Sequence, residues 1–155
     1  MTAAKDAGST IDDPGGGGAS RIQDSTLQLL GIAKKAGLLA IGGDSVSAAA
    51  RAGKTRLIIT AGDASEGALR RARSAAGAGG APHIPVPYTM FELGRVSGRG
   101  SPGIVAFLDA GLAAAFTRGL AKAEPERYSG AAEQLEANAR ALDEKKKRTQ
   151  RRTEQ

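Results

Sequence analysis

The sequence contains no cysteine, no tryptophan, a single histidine and few aromatic residues of any kind. The absence of cysteine excludes disulfides, thiolate catalysis and cysteine zinc sites. One histidine, His83, leaves little from which to build a metal cluster or a Ser–His triad. No apolar run approaches the roughly 18 residues that a membrane span needs, and the N-terminus does not resemble a signal peptide. We therefore expect a cytoplasmic protein that binds neither a metal nor a membrane.

Positive charge is in excess, at net +6 over the 155 residues. It is distributed unevenly: residues 1–24 carry net −2, residues 25–122 net +7 and residues 123–155 net +1. The excess thus lies in the part with a regular apolar pattern, where it can form a fixed patch. A basic surface on a folded domain is typical of nucleic-acid binding, with anionic membranes a distant second.

The composition divides the chain into three parts. Residues 1–24 include four consecutive glycines and almost nothing to bury, which predicts a disordered tail. Residues 25–122 have the length and pattern of one domain. Residues 123–155 have few large apolar side chains after Tyr128 and end in EKKKRTQRRTEQ. That composition predicts a solvent-projecting helix or disorder, with the capacity for extra phosphate contacts.

Residues 38–60 have the pattern of a strand, a glycine turn, a helix and a second strand. The first apolar run ends at Gly42 and Gly43, Asp44 stands where a helix cap is expected, and Gly53 stands where the helix would end. Glycines allow another backbone to approach closely, and the free N–H groups of a helix start attract an anion. This unit is the first candidate for a binding site.

Capping signals predict further helices that begin near Ser25, Asp63, Thr89 and Asp109, the first three with Gln or Glu three residues later. Short apolar runs predict strands at residues 57–60, 83–86 and 104–108, the second of which contains Pro85 and therefore belongs at a sheet edge. Four strands that alternate with five helices predict an α/β fold, with the sheet between helical layers.

Two sequence motifs suggest nucleotide chemistry, but neither has the required context. Residues 98–103 match GxGxxG, yet here a helix precedes and a strand follows, the reverse of the dinucleotide-binding order. Gly53-Lys54-Thr55 resembles the end of a P-loop, but Ala48 stands where that motif needs its first glycine. The carboxylates that precede the helices are explained by capping. We therefore expect no catalysis, no cofactor and no small-molecule substrate.

Several segments together resemble the ribosomal protein L-seven-Ae/L-thirty-e family, in particular its bacterial YlxQ-like branch. They are LLGIAKKAGLLAIGGDSV (29–46), RAGKTRLIITAGDAS (51–65), FELGRVSG (91–98) and GIVAFLD (103–109). The resemblance covers roughly residues 27–120. It implies a three-layer α/β/α sandwich with a four-stranded mixed sheet. It also implies a non-enzymatic protein that binds structured RNA, typically a kink-turn, in ribosomal or other ribonucleoprotein particles.

In this family, RNA docks on the turn after the first strand, on the following helix and on the loop before the last strand. The matching positions are residues 42–48 and 99–103. Exposed cations nearby would neutralise phosphates. The candidate RNA-binding residues are Gly42, Gly43, Asp44, Ser45, Ala48, Lys34, Lys35, Arg51, Lys54, Arg95 and Arg99.

The sequence departs from the family where kink-turn binders carry Asn-Glu-x-x-Lys at the helix start. Asp44, Ser45 and Ala48 occupy the matching positions. An aspartate cannot donate a hydrogen bond to guanine O6, and an alanine supplies no cation. The substitutions predict phosphate binding with weakened kink-turn specificity. Two alternatives are a protein-interaction adaptor that keeps the fold without that specificity, and an appendage that presents RNA to a modifying enzyme.

Overall fold

The computed structural model describes residues 17–98 and 100–154, which form six helices and a four-stranded mixed sheet. The predicted α/β class is confirmed. In chain order the elements are α1 (Gly17–Lys35), β1 (Leu39–Ile41), α2 (Gly43–Arg51), β2 (Leu57–Thr60), α3 (Glu66–Gly79), β3 (His83–Pro85), α4 (Met90–Ser97), β4 (Ile104–Phe107), α5 (Ala110–Ala123) and α6 (Pro125–Glu154).

The strands lie in the order β1-β4-β2-β3. Strand β4 is antiparallel to both of its neighbours, and β2 is parallel to β3. Ile41 pairs with Val105, and Thr60 pairs with Ile104. The ends of β1 and β2 therefore meet the start of β4 at one end of the sheet, which we call the carboxyl end. The opposite end, where β1 and β2 begin, is the amino end.

The strands are apolar throughout because both faces of the sheet are covered. Leu57, Ile59 and Phe107 belong to one buried cluster, whereas Ile58 and Ala106 belong to another. Successive strand side chains point to opposite faces, so each cluster fills one face. Helices α1, α4, α5 and α6 contribute large side chains to the first cluster. Helices α2 and α3 contribute mainly alanines to the second, which keeps them close to the sheet.

Two predicted helix starts are confirmed in detail. At the start of α4, Thr89 and Glu92 form a full capping box. At the start of α5, Asp109 Oδ2 accepts the backbone N–H of Leu112 at 2.9 Å. Each arrangement involves only residues that are three apart in sequence. Both helix starts could therefore be predicted without knowledge of the fold.

Two other predicted starts are wrong. Helix α1 is already formed at Gly17, so Ser25 lies inside it. Helix α3 is capped by Ser65, whose hydroxyl accepts the Ala68 N–H at 3.1 Å. Asp63 lies two residues too early for that role, and its Oδ1 instead accepts the Met90 N–H of α4 at 2.8 Å. The prediction of a disordered tail over residues 1–24 is wrong for residues 17–24, which are helical, and residues 1–16 lie outside the described residues.

The last part of the chain forms one long helix, α6, and the first half of that helix is part of the core. Tyr128 is 2% exposed and Leu135 is fully buried. The Tyr128 hydroxyl donates a hydrogen bond to the Pro85 carbonyl at 2.9 Å. The core therefore extends beyond Lys122, where the composition suggested a boundary. From Asp143 to Thr153 every side chain is exposed.

Strand β3 lies at the edge of the sheet, as its prolines predicted. The His83 side chain makes a polar contact with its neighbour strand: Nε2 lies 3.0 Å from Thr60 Oγ1. Burial, assisted by the charge of Arg73, lowers the pKa of His83 below its ordinary value of 6.5. The folded state thus favours the neutral ring.

A lowered pKa at His83 makes stability fall on mild acidification. The unfolded chain binds the proton more readily, so the contribution of His83 is complete above about pH 6.5 and is lost as the pH falls toward the folded pKa. We expect urea unfolding to give a smaller free energy at about pH 5.5 than at about pH 7.5, before most carboxylates titrate. In His83→Gln this difference should shrink. An equal pH response in wild type and variant would contradict the assignment.

Candidate nucleic-acid interface

The turn after β1 is shaped by Gly42, whose φ of 91° lies in the left-handed region that favours glycine. Gly42 is also the N-cap of α2, so the prediction that Asp44 caps this helix is wrong: Asp44 lies within the first turn. Since glycine has no side chain, this N-cap offers no side-chain acceptor to the first N–H groups of α2. Such a helix start is suited to bind an anion.

The loop before β4 lies beside this turn, at the same carboxyl end of the sheet. The Gly42 N–H donates to the Ile104 carbonyl, and the Ala61 N–H donates to the Gly103 carbonyl, each at 3.0 Å. The loop also packs closely on α4, because a Cβ added at Gly94 would overlap the Gly100 carbonyl. The fold thus brings together the two segments that the family resemblance predicted to meet RNA.

An arginine from α3 completes this surface. The side chain of Arg71 lies over Gly43, where an added Cβ would overlap the guanidinium. Its Nη2 donates to Asp44 Oδ1 at 3.2 Å, and both side chains are well exposed, at 55% and 97%. We call this surface the glycine rim. It consists of Gly42, Gly43, Asp44, Ser45, Arg71 and the loop residues 101–103.

Arg71 was not among the residues predicted from the sequence to form the site. Arg71 and Asp44 are 27 residues apart, and no local motif connects them. They meet because the small side chains of α2 and α3 allow the two helices to pack closely. Ala48, which was assigned, is exposed on α2 one helical turn after Asp44 and therefore lies on the same side of the helix.

Three further predicted cations lie on helices α1 and α4, near the loop before β4. The ammonium of Lys34 lies against Gly98, at the end of α4, where the helix dipole favours a positive charge. Lys35 is exposed in the last turn of α1. Arg95 lines a groove between α1 and α4, and Phe91, 67% exposed, precedes it by one turn. An exposed ring beside a cation is a surface on which an unpaired base can stack. Arg99 lies outside the described residues.

The remaining two predicted cations do not join the rim. Helix α2 starts at the rim and carries the chain about 13 Å away from it, so Arg51 lies near the amino end of the sheet. Lys54 lies at the same end, because Arg56, two residues further on, donates its N–H to the Phe107 carbonyl at 2.8 Å. The fold thus separates Arg51 and Lys54 from the glycines with which sequence reasoning grouped them.

Other site types find no support in the part of the chain that the structure describes. None of its histidine, aspartate and glutamate side chains come together in a group of three or more that could hold a metal ion. None of its helices combines the length and the apolar character required to cross a bilayer. The glycine rim offers backbone N–H groups, a hydroxyl and a guanidinium, which are ligands for phosphate oxygens.

Comparison with known proteins places the fold among solved structures. The sequence matches no protein-family profile and no curated protein. A protein of unknown function from Bacillus halodurans is similar at 26% identity and a TM-score of 0.55, over 61% of this chain and 95% of that one. The 15.5 kD RNA binding protein of Giardia lamblia is similar at 16% identity and a TM-score of 0.51, over 68% of this chain and 89% of that one. At 16% identity the second likeness shows a shared fold.

Proposed function

We propose that this protein is a non-enzymatic RNA-binding protein whose glycine rim contacts the sugar–phosphate backbone of a structured RNA. The observation that carries the proposal is the position of Arg71, which places a guanidinium over Gly43 beside the start of α2. A cation and free helix N–H groups thus converge on one exposed spot. The net +7 of residues 25–122 and the fold shared with an RNA-binding protein support the same assignment.

The rim can bind a phosphate by exchanging one partner for another. Asp44 and Arg71 form an exposed ion pair, and such pairs contribute only about 0–1 kcal/mol. A hydrogen bond to a charged group contributes about 1.5–3 kcal/mol. A phosphate that lies against the N–H groups of α2 can therefore take Arg71 from Asp44 with a net gain, and Asp44 holds the guanidinium in place beforehand.

The kink-turn is the structured RNA that the family resemblance implies, in a ribosomal or other ribonucleoprotein context in the cytoplasm. Asp44, Ser45 and Ala48 occupy the positions that read sheared G·A pairs in that family. With an anion at the first position and no cation at the third, binding rests mainly on phosphates. We propose that affinity for structured RNA is retained while kink-turn selectivity is modest.

Arg71→Gln should weaken RNA binding about tenfold, because the loss of one charge-assisted contact amounts to roughly 1.5 kcal/mol. The slope of log affinity against log salt should also decrease by about one. Fluorescence anisotropy with a hairpin RNA that carries a kink-turn loop, titrated between about 50 and 200 mM salt, measures both quantities. Arg73→Gln is the matched control, since Arg73 is exposed on the same helix and its charge acts on His83.

Wild-type protein that does not bind this RNA at low salt, or that binds it with a flat salt response, would refute the proposed function. Equal losses in Arg71→Gln and Arg73→Gln would place the contact elsewhere than the rim.

The protein-interaction adaptor is supported by two large apolar side chains that are exposed, Ile32 at 54% and Phe91 at 67%, among the residues whose burial the structure describes. A pull-down before and after nuclease treatment separates the two functions. An adaptor keeps its partner protein after nuclease, whereas an RNA-binding protein loses whatever the RNA bridged.

A further inference from the structure

The last three turns of α6 form a strongly basic segment outside the core. From residue 143 to the end of the helix the sequence contains no apolar side chain, and every side chain through Thr153 is exposed. We call residues 145–152 the basic helix end. Its six cations are Lys145, Lys146, Lys147, Arg148, Arg151 and Arg152.

Four of these cations share one side of the helix. Lys147 and Arg151 are four residues apart, as are Arg148 and Arg152, so each pair meets across one turn. Like charges at this spacing repel each other, whereas Asp143 and Lys147, and likewise Glu144 and Arg148, are opposite charges at the same spacing. None of the six cations forms an ion pair with a described residue; the ion pairs of α6 involve Arg127, Arg140 and, through Glu136, Arg118 of α5. Residues 145–152 thus carry six positive charges and no negative one, lie outside the core and are open to a polyanion.

The basic helix end lies far from the glycine rim. Asp143 and Lys146 line a cleft with Arg56, Leu108 and Asp109, which lie at the amino end of the sheet. The helix continues past this point. Four strand residues and two further helical turns separate the two surfaces by a distance on the order of 20 Å. Arg51 and Lys54, the two cations that do not reach the rim, lie at this same end.

We infer that the basic helix end, together with Arg51 and Lys54, is a second RNA-binding surface that contacts phosphates of a different segment of the RNA bound at the rim. The inference rests on the proposed function. A membrane surface is the poorer fit, because helices that lie on a bilayer need an apolar side and residues 143–154 have none. Phosphate recognition needs only the exposed cations that are present.

The test replaces the shared side of the helix by glutamine in the full-length chain, as K147Q/R148Q/R151Q/R152Q. Glutamine has nearly the helix propensity of lysine and arginine, so circular dichroism should be unchanged. The probes are a kink-turn hairpin with a stem of about 20 base pairs and the same loop with a stem trimmed to a few pairs. On the long RNA, affinity should fall at least tenfold and the salt slope by about three to four, as expected for four lost phosphate contacts. On the short RNA the change should be less than about twofold, since that RNA does not reach the second surface.

Two control variants accompany the test. R148K/R151K/R152K keeps the charge and should bind the long RNA like the wild type. R127Q/R140Q removes two charges from the packed half of the same helix. It should reduce affinity far less than R148Q/R152Q, a double variant that removes two charges from the basic helix end.

The outcomes separate this inference from the proposed function. If wild-type protein binds neither RNA, both fail. If Arg71→Gln weakens binding but the quadruple glutamine variant does not, only the second surface is refuted. Equal losses on long and short RNA would also overturn it, because both surfaces would then meet one segment. So would binding to phosphatidylserine vesicles that is tighter than RNA binding and is lost in the quadruple variant.

Discussion

The double substitution Asp44→Asn/Ala48→Lys is expected to raise the affinity for kink-turn RNA by about a hundredfold. A good side-chain contact to a base is worth about 1–3 kcal/mol, and the pair of changes adds two such contacts. Ala48 is exposed one turn after Asp44, so a lysine there would extend along the rim. Asparagine removes a carboxylate that repels phosphate and supplies an amide donor, while its side-chain oxygen can still accept the hydrogen bond from Arg71.

Specificity is the measured quantity in this experiment. A plain duplex RNA of the same length should gain only the electrostatic part, less than about tenfold, because two charge units are added without base contacts. Ala78→Lys is the control for added charge, because Ala78 is an exposed alanine on a different helix, α3. No gain on the kink-turn would show that the turn after β1 is not where RNA is read. A gain of equal size on both RNAs would show that it is purely electrostatic.

Tyr128→Ala should reduce the free energy of unfolding by about 3–5 kcal/mol, the range found when a buried aromatic ring is truncated. The Tyr128 ring is buried in the larger core cluster, and its hydroxyl serves the Pro85 carbonyl. Tyr128→Phe keeps the ring and removes only the hydrogen bond, so it should lose about 1 kcal/mol. Urea denaturation monitored by circular dichroism gives both values.

Ser129→Ala is the control for this pair, because Ser129 is the exposed neighbour on the same turn. Its stability should match the wild type within about 0.5 kcal/mol. Should Tyr128→Ala unfold no more readily than Ser129→Ala, α6 would not be docked on the sheet as described.

The parts of the fold that sequence predicted well depend on short-range rules. Strands were recognisable from apolar runs between glycines. Thr89 and Asp109 were recognisable as caps because a capping side chain and the N–H group that donates to it lie within three residues. The same rules failed at Asp63, where the carboxylate binds the start of α4, 27 residues away, instead of the helix beside it. A carboxylate before a helix is consistent with either arrangement, and only the position of the start of α4 beside Asp63 decides between them.

The candidate site divides in the same way. Gly42 and Gly43 could be identified because a glycine pair after a strand has few other uses. Arg71 could not, since its position over Gly43 follows from the contact between α2 and α3. Arg51 and Lys54 were grouped with the rim because they are close in sequence, but a nine-residue helix separates them from it. Sequence distance along a helix does not show which end of a sheet a charge will face.

The hydrogen bond from Tyr128 to Pro85 has a consequence for self-association. Val86 donates its N–H inward to Thr60, so the adjacent Pro85 directs its carbonyl to the open border of β3. A bare border of this kind recruits strands from other molecules and seeds aggregation. Here Pro85 has no N–H to offer another strand, and its carbonyl already accepts a hydrogen bond from the Tyr128 hydroxyl. Helix α6 thus protects the edge of β3 from pairing with strands of other molecules, and this effect does not depend on any ligand.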